Sequence, residues 1–112
     1  NSILTKANLT GAKLSGANLS HASLNGANLK RAGMYKVNLT GADLTGAELP
    51  RSMKGVNLTG ANLTNAILVD VDFSGSDLTR ANLTGASLTG AKIDKATLCN
   101  TITPWGLDNS GC

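Results

Sequence analysis

The sequence predicts an all-β solenoid in which very short strands alternate with corners. Large apolar residues recur at every fifth position along nearly all of the 112-residue chain, and a small residue precedes most of them by two places. Glycine or another turn-forming residue follows most of these centres. A period of five fits neither a helix, with about 3.6 residues per turn, nor a long strand, whose faces alternate at every residue. The spacing of two inside each unit does fit a strand, so each unit is expected to be one short strand and one corner.

Each repeat unit is centred on one large apolar residue. The centres of the first half are Leu4, Leu9, Leu14, Leu19, Leu24, Leu29, Met34, Leu39, Leu44 and Leu49. The centres of the second half are Met53, Leu58, Leu63, Leu68, Phe73, Leu78, Leu83, Leu88, Ile93 and Leu98. The residue two places before the centre is small or β-branched, except before Met53, where it is Arg51. In each regular unit the two residues therefore lie on the same side of their strand.

The residues after each centre predict the corners. Many units have Thr-Gly, Ser-Gly or Asn-Gly at this place. Glycine tolerates backbone angles that other residues avoid, and Thr, Ser and Asn can satisfy local backbone groups. A chain that turns after every unit closes on itself. If four units make one coil, successive coils would stack at about 4.8 Å, the usual spacing between paired strands.

One stretch breaks the period. In AELPRSMKGVNL, residues 47–58, the centres Leu49 and Met53 are only four residues apart. The centres that are not leucine are Met34, Met53, Phe73 and Ile93. Each lies four units from the next, provided that the short unit counts as a full one. Four units per coil would therefore stack these side chains in one column.

Two structures remain open for residues 50–55. In the first, the corner is tightened and loses a residue without losing a side of the coil. In the second, a loop protrudes and Met53 falls in phase by coincidence. Pro50 has no backbone N–H to donate and suits a turn or an edge. Arg51 favours some bulging, because a charged side chain is costly at an inward position.

The repeated phrases resemble a known family. ADLTG at 42–46, ANLTG at 81–85 and ANLSH at 17–21 are similar to the pentapeptide-repeat pattern of a small residue, Asn or Asp, Leu or Phe, Ser or Thr, and Gly. The resemblance covers residues 2–100. It implies a right-handed quadrilateral β-helix of about five coils, with the large and the small residue of each unit pointing inward. One domain, residues 1–112, is expected.

The repeat stops after Leu98, and residues 101–112 are expected to form a C-terminal cap. A solenoid needs such a cap because its terminal coil exposes apolar surface and open strand edges. Ile102, Trp105 and Leu107 are the apolar side chains expected to lie across the last coil. A lone Trp105 can also mark a ligand-stacking platform.

Cys99 and Cys112 bracket this segment and are the only cysteines. Two cysteines without further ligands cannot make a metal site, so a disulfide is the preferred interpretation, with two free thiols as the alternative. The segments TLCNT and NSGC are also similar to the ends of pentapeptide-repeat proteins from cyanobacteria and the thylakoid lumen. The expected location is the thylakoid lumen or the periplasm, for a mature form that lacks its targeting segment.

The polar residues offer no strong enzyme site, and no cofactor or metal is expected. A modest acidic group consists of Asp70, Asp72, Asp77 and Asp94. Flat walls provide no concave pocket, and the single histidine, His21, has no evident partner. Asp72 and His21 are the residues on which an enzymatic alternative would depend.

Charge bears on nucleic-acid partners. Some pentapeptide-repeat proteins are acidic rods that mimic duplex DNA and bind DNA gyrase, so the resemblance implies a gyrase-directed regulator as the alternative function. Ten basic against seven acidic residues give this chain a net charge of +3, which has the wrong sign for such mimicry. Lys30, Arg31 and Lys36 surround Tyr35 and suggest direct DNA binding, but this charge is weak for a rod. No nucleic-acid partner and no membrane span are expected.

Two exposed apolar residues suggest a protein contact. Ile67 and Val69 replace the usual polar residues on either side of Leu68 and are predicted to form a small apolar spot near the irregularity at Pro50. Pro50, Ile67 and Val69 are the candidate partner surface. The leading prediction is a non-enzymatic structural or protein-interaction module, monomeric or weakly dimeric, in an oxidising lumen or periplasm.

Overall fold

The computed structural model describes residues 2–112, which form a right-handed, four-sided β-helix measuring 33 × 25 × 20 Å. Isolated parallel bridges join the sides of one coil to the same sides of the next, except between Gly33 and Ser52. In chain order, wall 1 contains Ile3, Ser23, Asp43, Asn62, Asn82 and Ile102; wall 2 contains Asn8, Asn28, Glu48, Ile67 and Ser87; wall 3 contains Lys13, Gly33, Ser52, Asp72 and Lys92; wall 4 contains Asn18, Asn38, Asn57, Asp77 and Thr97. The predicted four-sided coil is confirmed.

The interior holds the two inward residues of each unit. Leucine centres in the second to fourth coils are fully buried, and the small residues beside them are buried as well. In the predicted column, Met34, Met53 and Phe73 are also buried, with Met53 at 0% exposure, while Ile93 in the last coil is partly buried. Centres in the first coil are only partly buried, because one neighbouring coil covers them in the described chain. Each interior coil therefore gains its apolar burial from the coils directly above and below it.

Where Asn or Asp precedes a centre, its side chain holds the following corner. The Oδ1 atom of Asn8 accepts hydrogen bonds from the Thr10 amide at 3.1 Å and from the Thr10 hydroxyl at 2.6 Å. In the same way, an Oδ1 atom accepts a hydrogen bond from the backbone amide two residues later at Asn18, Asn38, Asn57 and Asp77. These four residues form a ladder on wall 4, and each side-chain oxygen bonds within its own corner. The repeat therefore places Asn or Asp two residues before Thr or Ser because this pair closes the turn.

Most corners also use a residue in the left-handed region. His21 has φ 58°, and its imidazole lies against Gly41 of the next coil, where a Cβ atom would clash. Glycine at Gly41 thus meets two requirements, a positive φ of 66° and close approach of a side chain.

The corner at Pro50 is tightened and does not protrude. Pro50 is buried, whereas Arg51 is exposed. Neither residue has a positive φ, in contrast to Gly46 and Gly55 at the corners before and after. Bridges across this corner join residues nineteen apart, and the spacing of twenty returns at Ser52 with Asp72. The deleted residue is therefore the left-handed one, a conformation that proline cannot supply because its ring fixes φ near about −65°.

The C-terminal segment differs from the predicted cap. Strand β1 (Thr101–Thr103) pairs antiparallel with strand β2 (Gly106–Asp108), and Ile102 stands opposite Leu107. Trp105 and Leu107 are 63% and 65% exposed, and Ile102 is also exposed. The expectation that these three residues cover the last coil is wrong. Alternation along β1 turns Thr101 and Thr103 inward and leaves Ile102 on the outside.

The end of the chain is nonetheless attached to the last coil. A disulfide joins Cys99 to Cys112. The Gly111 amide donates a hydrogen bond to the Leu98 carbonyl oxygen at 2.8 Å. Residues 101–112 therefore fold back on the helix as a cross-linked hairpin that presents apolar side chains to the outside.

Candidate functional site

The hydrogen bonding between coils is interrupted at one corner. In the first coil, the amides of Gly11 and Leu14 donate to the second coil at 2.9 and 2.8 Å. The equivalent amides of the second coil, those of Arg31 and Met34, have no acceptor within residues 2–112. The amide of Ser52 also lacks the bond to the preceding coil that its wall-3 neighbours form. In the fourth coil the equivalent amides of Asp70, Asp72 and Phe73 all donate to an adjacent coil, so this group of three marks the tightened corner as unusual.

A depression of about 820 Å³ opens at this interruption, and we call it the corner notch. It is lined by Lys30, Arg31, Ala32, Glu48, Leu49, Pro50, Arg51, Ser52, Val69 and Asp70. These residues come from three successive coils. The notch exists because the third coil takes a shorter path around its corner than the coils on either side.

The charges at the notch are not evenly paired. Lys30 Nζ lies 3.2 Å from a carboxylate oxygen of Glu48. The carboxylate of Asp70 is directed toward Gly90 of the following coil, away from the tightened corner. Arg31 and Arg51 are exposed and form no ion pair within residues 2–112. The notch therefore combines two uncompensated guanidinium groups with free backbone donors.

The predicted partner surface is brought together only in part. Val69 and Pro50 both line the notch, but Pro50 is buried and cannot form an exposed contact surface. Val69 is 42% exposed, and Ile67 is 43% exposed on wall 2. Because residues two apart on a strand share a face, Ile67 and Val69 form one apolar spot, which we call the wall-2 spot.

The catalytic candidates are engaged in the walls. The Asp72 carboxylate accepts hydrogen bonds from the hydroxyl and the amide of Ser74, at 2.5 and 2.9 Å, and these bonds lower its pKa. Its ladder neighbour is Lys92, while its ion-pair partner is Lys54 at 3.8 Å. An ionised, hydrogen-bonded carboxylate on a flat wall is suited to closing a corner. His21 serves a corner on another side of the coil, so the two candidates do not share a site.

The basic residues around Tyr35 separate into two groups. Lys36 Nζ lies 5.3 Å from the centre of the Tyr35 ring, a cation–π contact. Lys30 and Arg31 instead line the notch with Arg51. Sequence reasoning missed this grouping, although the signal was present: the one short repeat unit contains Arg51, and Arg31 precedes it by twenty residues.

Residues 2–112 contain no group of three or more His, Cys, Asp or Glu side chains placed to hold a metal ion. The same part of the chain has no helix long and apolar enough to cross a bilayer.

The pentapeptide-repeat family model matches the chain in overlapping segments, at residues 2–41, 12–50, 34–80 and 66–102. No curated protein sequence matches this chain. A pentapeptide repeat protein from the thylakoid lumen of Arabidopsis thaliana is 29% identical, with a TM-score of 0.58 over 79% of this chain and 66% of that one. A pentapeptide repeat protein from the cyanobacterium Cyanothece 51142 is 33% identical, with a TM-score of 0.56 over 87% of this chain and 64% of that one.

A third solved structure extends the comparison of fold. QnrB1, a plasmid-mediated fluoroquinolone resistance protein, is 21% identical, with a TM-score of 0.82 over 97% of this chain and 56% of that one. At this identity the likeness concerns the fold alone. The chain spans between 56% and 66% of the length of these three proteins.

Proposed function

Because the chain belongs to the pentapeptide-repeat family, we propose that it is a non-enzymatic protein-interaction module whose partner docks on the wall-2 spot. The observation that carries this proposal is the exposure of Ile67 and Val69, at 43% and 42%, in the middle of a polar wall. The corresponding positions one coil earlier are Glu48 and Pro50, and one coil later they are Ser87 and Thr89. Apolar side chains placed there contribute nothing to the interior, so a contact outside the coil gives them a role.

The geometry of the wall supports docking by a folded partner. Wall 2 is a parallel ladder with one residue per coil, so its outward side chains are held at fixed spacing on a rigid backbone. Such a surface presents contacts with little loss of conformational entropy on binding. The wall-2 spot would then form the apolar centre of an interface with a polar rim.

We further propose that the module works in an oxidising compartment, the thylakoid lumen or the periplasm. The disulfide between Cys99 and Cys112 supports this location, because disulfides persist mainly in oxidising environments. The 29% identity to a thylakoid-lumen protein from Arabidopsis thaliana supports the thylakoid lumen over the periplasm.

Two matched double variants test the docking proposal. Ile67→Asn with Val69→Thr restores the commonest repeat residues and leaves the interior unchanged. Trp105→Ser with Leu107→Thr removes a similar apolar area from the C-terminal hairpin. A partner captured from the native compartment is identified, purified and titrated calorimetrically against the parent protein and both variants.

We expect the wall-2 variant to bind the partner about tenfold or more weakly, since central apolar contacts dominate interface energies. The hairpin variant should bind as the parent does. Equal affinity of the parent and the wall-2 variant would refute the docking site. Loss of binding in the hairpin variant alone would transfer the interface to Trp105 and Leu107.

The gyrase-directed alternative gains no support from charge, since ten basic residues stand against seven acidic ones. We expect the purified protein to leave DNA supercoiling by gyrase unchanged at concentrations that saturate its partner. Inhibition of supercoiling would favour the alternative over the docking proposal.

A further inference from the structure

The corner notch combines three features. Arg31 and Arg51 carry unpaired positive charge. The amides of Arg31, Met34 and Ser52 have no acceptor within residues 2–112. Leu49 and Val69 add apolar surface beside these donors. We infer that the notch is a binding site for a small organic carboxylate; the notch shares Val69 with the wall-2 spot, but the inference does not rest on the proposed function.

Hydrogen-bond donors explain why the ligand is an oxyanion. An amide without a protein acceptor is free to donate to a ligand, and a carboxylate oxygen is among its strongest acceptors. The guanidinium of an arginine offers two parallel N–H groups that match the two oxygens of a carboxylate. Arg31 belongs to the second coil and Arg51 to the third, and both line the notch.

The local charge favours a monoanion. Glu48 is already paired with Lys30, and Asp70 turns toward Gly90, so neither carboxylate neutralises the two arginines. Both acids nevertheless line the notch, and their negative field opposes a ligand with two charges more than a ligand with one. A carboxylate fits this balance better than a phosphate monoester.

Apolar lining and size indicate an organic substituent. The volume of about 820 Å³ exceeds the needs of a bare ion and lies in the range of small-molecule sites. Ala32, Leu49, Pro50 and Val69 give the notch an apolar side. A short branched aliphatic chain could lie against them while its carboxylate faces the arginines.

The test is a titration followed by the amide NMR signals of Arg31, Met34 and Ser52. The probes are sodium isovalerate, inorganic phosphate and sodium chloride, each compared at equal ionic strength. Arg31→Gly removes one guanidinium and keeps the positive φ that Arg31 has, at 60°. Arg80→Gly is the matched control, because Arg80 occupies another corner with φ 58° and is not part of the notch.

We expect isovalerate to shift these three amides saturably, and chloride to shift them weakly and linearly. Arg31→Gly should weaken isovalerate binding on the order of tenfold, as expected for loss of a charged hydrogen bond, whereas Arg80→Gly should bind as the parent does. Tighter saturation by phosphate would overturn the carboxylate assignment. Absence of saturation, or equal weakening in both variants, would overturn the site.

A second variant closes the notch without removing stability. Pro50→Thr and Arg51→Ala, with one glycine inserted between them, restore the regular phrase LTGASM. This corner-restored variant should fold with a complete amide ladder and show no saturable response to isovalerate. Retained isovalerate binding would contradict the assignment to the notch.

Discussion

Ser52 and Asp72 form a parallel bridge, so the coils recover their twenty-residue spacing directly after the tightened corner. No bridge joins Ser52 to Gly33 in the coil before. The shortened unit thus keeps its place in wall 3 toward the C-terminus and loses its pairing toward the N-terminus. The solenoid tolerates the deletion because each coil bonds separately to its two neighbours.

The corner-restored variant should be more stable than the parent protein. It returns acceptors to the amides of Arg31, Met34 and Ser52, and each net hydrogen bond contributes about 0.5–1.5 kcal/mol. We expect the free energy of unfolding to rise by about 1–3 kcal/mol, allowing for incomplete geometry. Chemical denaturation measures the change, and Arg51→Ala alone serves as the control.

Hydrogen exchange gives the same prediction residue by residue. In the parent protein the amides of Arg31 and Met34 should exchange faster than those of Gly11 and Leu14, although their coil is the more deeply placed. The corner-restored variant should slow them. Slow exchange at Arg31 in the parent would contradict the interrupted ladder.

Phe73 should be the most costly single truncation in the interior. It is the largest fully buried side chain, at 0% exposure, and Phe→Ala changes in cores cost about 3–5 kcal/mol. Phe73→Leu, which makes the position match the leucine columns, should cost less. Tyr35→Ala, at an exposed position, should change stability within about 0.5 kcal/mol in the same denaturation experiment.

Acid should weaken the corner at Asp77. Hydrogen bonding from the Thr79 hydroxyl, with smaller help from the Thr79 amide, holds the Asp77 pKa below its ordinary value of about 3.9. A carboxyl whose pKa is lowered by folding stabilises the fold at pH values above its ordinary, unfolded-state pKa. This stabilisation is lost as the pH falls through the lower pKa of the folded state. The temperature at which half of the protein is unfolded should therefore decrease as the pH is lowered below about 4.

Two substitutions separate the Asp77 contribution from the rest of the acid response. Asp77→Asn keeps the Oδ1 acceptor and cannot titrate, so its unfolding midpoint should depend less on pH in this range. Thr79→Val removes the hydroxyl donor, which should raise the Asp77 pKa toward its ordinary value. An unchanged pH profile in both variants would contradict this assignment.

The disulfide should stabilise the C-terminal hairpin. Cys99 and Cys112 are thirteen residues apart, and closing a loop of this size contributes about 3 kcal/mol in a chain-entropy model. Cys112→Ser should lower the unfolding midpoint by the same amount as reduction of the parent protein does. Two thiols titratable in the unreduced, denatured protein would show that the bond is absent.

For the C-terminal segment, sequence reasoning predicted the disulfide pair correctly but not the direction of the apolar side chains. It paired Cys99 with Cys112 because no other cysteine was available, and the structure has this bond. It placed Trp105 and Leu107 over the last coil because apolar side chains usually seek cover, yet both are exposed. The hairpin register decides their direction, and register depends on tertiary pairing that composition does not encode.

The sequence by itself determined the coil. A five-residue repeat with inward residues two apart sets where the chain turns. The centres Met34, Met53 and Phe73 recur at every fourth unit, and this spacing sets four units per coil. These are local properties, repeated often enough that each unit reinforces the next. Only the tertiary structure determined the conformation of the short unit. Pro50 is buried, Arg51 is exposed, and the amides of Arg31, Met34 and Ser52 have no acceptor within residues 2–112. That outcome depends on how one coil fits against its neighbours, which are twenty residues away in sequence and about 4.8 Å away in space.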